Sequence, residues 1–341
     1  LGSFQTSDHQ RPLGALQQRG RFAQIRALGR CSDYGGAYGE ARRERDPLCV
    51  GAIALSPRAD AIVRPLIQSA DVVLLVGYDP VEMRASYAHP FAAHTRVIEL
   101  APRSREHSMH DAQLEIAGEL ATSLRALYEL CSHQQRRWPD DEPAAVRAAL
   151  REAFAPDGRV ELSPLAVSEV LSRLLPETAH LTLDTGAHRI VLAQSLCARW
   201  PGQVLQSNGL CTMGYALPCA IGLALASGRR VIAAMGDGGF EMVLGELATL
   251  RDSGLPLILV VFDDRSLALI DQKQQAAGLL RRGVWLGATD HVALVQAFGG
   301  RGVRVADVAA LESALVSALE ARDCFSVISC ALVRGAYEGV I

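Results

Sequence analysis

Lysine is almost absent. Lys273 stands alone among 34 Lys and Arg residues, and every other basic side chain is arginine. A GC-rich coding sequence accounts for such a bias, so it carries no functional weight. Aromatic residues make up only 5% of the chain, and the apolar runs, such as residues 72–76 and 257–262, have the length of core strands. They fall far short of the roughly 18–20 residues that cross a bilayer. Excess charge is missing too. The net charge is −3 with both signs interspersed, which provides no general attraction for nucleic acid or an anionic membrane surface. The eight cysteines, at positions 31, 49, 131, 197, 211, 219, 324 and 330, form no CxxC pair and have no histidines at zinc-ligand spacing. Neither a disulfide framework nor a zinc site is supported, and reduced thiols in the cytoplasm are the expectation. The first residues hold no apolar segment behind a basic start, and the chain opens on Leu1 instead of Met.

What is present is globular: 341 residues, 49% hydrophobic and 21% charged, enough for about two domains. Residues 1–46 are rich in Arg, Gln and Gly and read as an irregular N-terminal segment. From Pro47 the texture changes. Helical spacing over 62–69, continuous apolar runs at 71–77 and 96–100, and a helix over 118–130 describe a partial α/β domain at 47–130. Residues 131–145 are polar, with Pro139 and Pro143, and read as a linker. Over 146–341 the alternation returns. Strands are expected at 180–184, 230–235, 257–262 and 326–331, and helices near 163–175 and 190–196 and over 214–227, 240–252 and 290–298. Strands without polar alternation, separated by helices, imply parallel sheets covered on both faces. The expected fold class is therefore α/β: two doubly wound parallel-sheet domains, the first incomplete.

Open parallel sheets bind ligands beyond the carboxyl ends of their strands. At Gly236-Asp237-Gly238-Gly239-Phe240 an apolar strand breaks into glycines and then a helix, a setting that lets main chain approach a phosphate. Asp237 would repel that phosphate unless a divalent cation stood between them, so it reads as a Mg²⁺ or Ca²⁺ ligand. By itself the motif reads more readily as a Gly-Asp-Gly turn. A second oxygen-rich cluster, Asp263-Asp264-Arg265-Ser266, ends the next strand, and Asp264 lies 27 residues after Asp237.

This pair of strand ends resembles the motif of thiamine diphosphate-dependent enzymes, in which Gly-Asp-Gly is followed at about this distance by Asn-Asn or Asn-Asp. Asp263 replaces the first Asn. The resemblance implies that Asp237, Asp264 and the main-chain carbonyl of Ser266 hold Mg²⁺, and that Gly236, Gly238 and Gly239 lie against the diphosphate. Residues 207–218 are similar to the family segment that holds the aminopyrimidine. There Gly209 and Cys211 would lie along the cofactor, Cys211 in place of a common glycine, and Met213 would prop its bent form. Asp184-Thr185-Gly186-Ala187-His188 resembles the diphosphate-side loop, with Gly186, Ala187 and His188 as contacts. Glu246 is assigned a helix-end or structural hydrogen bond, and Lys273 with residues 272–275 a substrate-side position.

Within the family the likeness is to the acetolactate synthase group, with 47–130 corresponding to its middle domain and 146–341 to its C-terminal cofactor domain. It implies an enzyme of the transferase or lyase type, dependent on thiamine diphosphate and Mg²⁺, which decarboxylates a small 2-keto acid such as pyruvate and ligates the product to a second carbonyl. A benzoylformate- or sulfopyruvate-type decarboxylase is the alternative within the family. A non-catalytic cofactor-binding subunit or truncated homologue is the alternative from another class. The family's activating Glu belongs to an N-terminal pyrimidine domain that has no counterpart in these 341 residues. A homo-oligomer or a partner chain carrying that domain is therefore implied, with little activity in its absence. A FAD site in the first domain is not expected, because residues 1–46 lack the pattern of the strands and helices that would complete it.

Overall fold

In a computed structural model the described residues are 22–26, 49–78, 89–104, 110–131, 141–155, 161–196, 198–200 and 202–341. The first sheet has four parallel strands in the order β1 (Phe22–Arg26), β2 (Val72–Val76), β3 (Arg96–Ala101) and β4 (Leu114–Ala117). Helix α1 (Pro57–Gln68) leads into β2, and α2 (Leu120–Cys131) follows β4. The reading of 1–46 as irregular fails at β1. Its five residues pair in parallel with β2, from Phe22 opposite Val72 to Arg26 opposite Val76. Phe22 and Ile25 are too few apolar residues to announce a strand against an Arg- and Gly-rich background. Strand β4 was also not anticipated, since Leu-Glu-Ile-Ala is a short alternating segment at a sheet edge.

Helix α2 runs to Cys131, and α3 (Glu142–Phe154) starts with Pro143 in its first turn, so helices occupy both ends of the expected linker. Residues 132–140 between them, like the rest of 1–46, lie outside the described set. Helix α4 (Pro164–Leu174) is capped by Ser163, whose Oγ accepts from the Ala166 amide at 3.1 Å, with proline at the first helical position.

The second sheet contains β5 (His180–Leu183), β6 (Val204–Gln206), β7 (Val231–Gly236), β8 (Ile258–Asp263), β9 (Arg301–Val305) and β10 (Ser326–Ala331). All are parallel, in the spatial order β6-β5-β7-β8-β10-β9. Between them run α5 (Ala187–Ser195), α6 (Ala216–Ser227), α7 (Asp237–Met242), α8 (Glu246–Ser253), α9 (Ala268–Ala276), α10 (His291–Ala297) and α11 (Val308–Glu320). The single helix expected over 240–252 is thus two, α7 and α8, with Val243 leaving helical geometry between them.

Strand alternation gives this sheet two buried faces. Ile258, Val260 and Phe262 of β8 join Ile232, Ala234, Ile328 and Cys330 on one face, against α4, α5 and α11. Leu259 and Val261 join Val231, Ala233, Met235 and Val327 on the other, against α6, α8 and α10. The first face is continuous with apolar residues of α1, α3, β2 and β3, so one core connects both sheets. The topology reverses at β5: β6 lies on one side of it and β7 on the other. The carboxyl ends of β5 and β7 therefore flank a switch point, the crevice where ligands of open α/β sheets bind. No described helix is long and apolar enough to cross a membrane.

Candidate active site

Asp184, directly after β5, organises one wall of that crevice. It is fully buried; its Oδ2 accepts from the Gly214 amide at 2.9 Å and its Oδ1 from the Ala216 amide at 3.3 Å. Burial pushes its carboxyl above the usual range, and these main-chain donors work against that shift. The same carboxylate explains a glycine of the neighbouring wall, because a Cβ on Gly239 would stand 2.0 Å from Asp184 Oδ2.

Across the switch point, β7 passes without a loop into α7, which places Asp237 at the first helical position. Its Oδ1 accepts from the Gly238 amide at 2.7 Å and its Oδ2 from the Arg265 amide at 2.6 Å. Asp237 thus ties the end of β7 to the loop after β8. On that loop Asp264 accepts from Ser266 Oγ at 2.6 Å. Burial first, and then the Asp264 charge, push Asp237 up to about 7; burial pushes Asp264 up to about 6. Two carboxylates are therefore buried and crowded at one end of the sheet, an arrangement that a shared cation would relieve. Asp263 belongs to the other side of β8. It pairs with Arg304 of β9 and accepts from Ser329 Oγ at 3.5 Å.

The floor and roof come from histidine and aliphatic side chains. His188 is buried at the start of α5, stacked on Phe262 with 5.3 Å between ring centres, and close enough to Gly236 that a Cβ there would meet its Nδ1 at 3.4 Å. Its Nε2 has no hydrogen-bond partner, and burial pulls its pKa down to about 3. Met213, Leu267 and Leu286 meet over Gly238: a Cβ on that glycine would lie 3.6 Å from Met213 Cε, 2.7 Å from Leu267 Cδ2 and 3.4 Å from Leu286 Cδ1. Arg189 holds the loop that leads to Met213, donating from one guanidinium nitrogen to the Ser207 carbonyl at 2.9 Å and to Cys211 Sγ at 3.5 Å.

Over residues 184–330 the chain matches the C-terminal TPP binding domain of thiamine pyrophosphate enzymes, thiamine pyrophosphate being thiamine diphosphate. Residues 184–330 belong to the thiamine pyrophosphate enzyme family. Among its relatives are the catabolic acetolactate synthase of Raoultella terrigena, 29% identical over 261 residues, and the acetolactate synthase isozyme 3 large subunit of Escherichia coli, 29% identical over 265. These alignments cover 75% and 74% of this chain and 46% of each relative, so the chain spans about half the length of the relatives it matches. The acetolactate synthase of Bacillus subtilis is 26% identical over 248 residues, 70% of this chain and 43% of that protein.

Against this match the residues singled out in the sequence converge unequally. Gly186, Ala187, His188, Gly236, Asp237, Gly238, Gly239, Asp264 and Ser266 lie at adjacent strand ends, and Met213 joins them over Gly238. Gly209 and Cys211 occupy the outer loop, both with positive φ, next to the exposed Leu210. Glu246 bonds within its own helix, accepting from Thr249 Oγ1 at 2.9 Å, as its structural assignment anticipated. Lys273 is exposed on α9.

Sequence reading gave no role to Asp184, Leu267, Leu286, Arg304 or Tyr337. Asp184 had a signal, a carboxylate ending an apolar strand. Tyr337 had none. It is buried in the C-terminal segment, where burial, followed by the charges of Asp264 and Asp237, raises its hydroxyl pKa. That segment also borders α9 and the turn after it: Gln272 donates to the Tyr337 carbonyl at 2.8 Å, and the guanidiniums of Arg281 and Arg334 both lie over Trp285.

The residues fit the cofactor. Among the described residues no three His, Cys, Asp or Glu side chains converge as a metal cage. The oxygen set of Asp237, Asp264 and Ser266 instead suits Mg²⁺, which takes few protein carboxylates and completes its shell with phosphate oxygens and water. In the tautomer that carries its proton on Nε2, the unpartnered Nε2 of His188 can donate to a phosphate oxygen.

Proposed function

We propose that this chain binds thiamine diphosphate through Mg²⁺ and acts on a small 2-keto acid, decarboxylating it and ligating the product to a second carbonyl in the manner named for its acetolactate synthase relatives. One observation supports this most: Asp237 and Asp264, buried at the ends of adjacent strands, share a site beside an unpartnered histidine.

In this reading Asp237, Asp264 and the main-chain carbonyl of Ser266 hold Mg²⁺. Gly186, Ala187, His188, Gly236, Gly238 and Gly239 face the diphosphate. Gly209 and Cys211 would flank the aminopyrimidine end, and Met213 would prop the cofactor. When bound, thiamine diphosphate supplies the carbanion-stabilising chemistry. The protein's part is to fix its position and exclude water. Asp237 braces two strand ends at once, Asp184 fixes the segment that carries Met213, and the aliphatic Leu267 and Leu286 keep the space above Gly238 dry.

The cofactor-activating carboxylate of this family lies on a pyrimidine domain, so the 341-residue chain tested by itself is expected to bind the cofactor and turn over slowly. Supplying that domain in trans restores the general acid–base contribution, on the order of 10²–10⁴-fold. Self-association is part of the proposal, because α6 leaves Pro218, Gly222 and Leu225 exposed on an apolar helix; sedimentation showing only monomer at micromolar concentration contradicts it. The reaction is tested with Mg²⁺, thiamine diphosphate, an added pyrimidine domain and a panel of pyruvate, benzoylformate and sulfopyruvate. Consumption of pyruvate with carbon–carbon bond formation is expected. Cofactor binding without consumption of any 2-keto acid would overturn the enzymatic reading.

A further inference from the structure

The carboxylate of Asp263 is buried one residue before the proposed metal ligand Asp264, yet it serves neither cation nor main chain at the switch point. Alternation along β8 directs Phe262 toward His188 and Asp263 toward the opposite face. On that face its partner comes from two strands away. Arg304 on the edge strand β9 stands opposite Ser329 of β10, and reaches across β10 to form an ion pair with Asp263. Ser329 Oγ bonds His291 Nδ1 at 3.2 Å, and His291 Nε2 faces Glu241 of α7 at 3.5 Å. Among the described residues the charged and titratable groups around Asp263 thus include Arg304, His291, Glu241 and the buried Cys330, and of these four only Arg304 is a permanent cation.

Charge arithmetic gives this pair a role that rests on the cofactor reading above. Asp237 and Asp264 together match the charge of one Mg²⁺, so they add no net repulsion toward a diphosphate. A third carboxylate at Asp263 does, unless it is cancelled. An asparagine, the residue of the resembling motif, would need no such cancellation.

We propose that Arg304 is a positioning and charge-balancing residue for the cofactor site: by neutralising Asp263 it keeps a third negative charge from opposing the diphosphate, and it holds that carboxylate on the face away from the cation. Its action on the diphosphate passes through Asp263, without contact.

The test is a calorimetric titration of the full chain with thiamine diphosphate at saturating Mg²⁺, and separately with Mg²⁺ alone. Arg304→Gln should weaken thiamine diphosphate binding about tenfold, the scale of one uncompensated charge at a partly screened site, without weakening Mg²⁺ binding. Asp263→Asn should bind at least as tightly as the wild type, because it leaves Arg304 as an uncancelled positive charge, and Arg304→Gln with Asp263→Asn should recover wild-type affinity within about twofold. Arg304→Lys, which keeps the charge, should bind normally and serves if Arg304→Gln does not fold. Unchanged affinity in Arg304→Gln, or a loss that Asp263→Asn does not rescue, would overturn the proposal and leave the cofactor reading intact. Failure of the wild-type chain to bind thiamine diphosphate with Mg²⁺ would overturn both.

Discussion

Gly239 shows how a motif read for its ligand is also fixed by its protein neighbours. Its Cβ position collides with the buried Asp184 carboxylate, which is itself committed to the Gly214 and Ala216 amides. Gly239→Ala must therefore displace Asp184 from its donors, and chemical denaturation should register a loss of about 2–3 kcal/mol. His188 yields a prediction about pH. Its pKa is about 3 in the fold against 6.5 unfolded, so the unfolded chain takes up the proton first and this residue's contribution to stability declines as pH falls below about 6.5. Asp237 and Asp264 act in the opposite sense, because raised carboxylate pKa values favour the folded state as pH falls. The difference between wild type and His188→Leu isolates the histidine. Between pH 7 and 5 the wild type should lose about 2 kcal/mol more than the variant in paired denaturant melts. The metal-side residues were legible because carboxylates at the ends of apolar strands demand an explanation. Arg304 and Tyr337 were not, since their importance comes from a strand pairing and a chain return that no local pattern encodes.

At the level of elements, the buried strands β5, β7, β8 and β10 were the easiest to read, each an apolar run with helices on either side. Strand β9, Arg-Gly-Val-Arg-Val, was missed because an edge strand buries little. Strand β6 is only three residues long, and β1 and β4 owe their form to pairing with neighbours more than to composition. Helix α11 was overlooked although Asp307 caps it, its Oδ1 accepting from the Ala310 amide at 2.8 Å. The other end of α11 is satisfied from afar. Arg230, just before β7, donates to the carbonyls of Ala318 and Leu319 at 3.0 and 2.7 Å, and also to those of Ala321 and Pro256. This one guanidinium closes the end of α11 against the sheet, where the helix leaves carbonyls without internal donors. Arg230→Met should cost at least about 2 kcal/mol in equilibrium unfolding without moving any residue of the site. A cost under about 0.5 kcal/mol would show that water serves those carbonyls equally well.

Across the whole molecule, one continuous core joins the first sheet to the cofactor-binding sheet, with α1 and α3 between them. Gln194 at the end of α5 reinforces that junction, bonding both the amide and the carbonyl of Ala52, at 3.3 and 2.7 Å. The helix that begins at the proposed diphosphate loop is thus anchored to the first domain, and the site rests on both units. Division into α/β units was readable from the alternation of runs, whereas their shared core was not, because contacts between distant segments leave no periodicity. The central claim is that the fold keeps Asp237 and Asp264 buried together in order to face a cation that carries a diphosphate. Thermal unfolding of the chain with thiamine diphosphate, in Mg²⁺ and in EDTA, tests it most directly. At about a hundredfold excess over its Kd the ligand should add about 2.7 kcal/mol of stability in Mg²⁺, none in EDTA, and none in either for Asp237→Ala; equal stabilisation in Mg²⁺ and in EDTA would contradict the account.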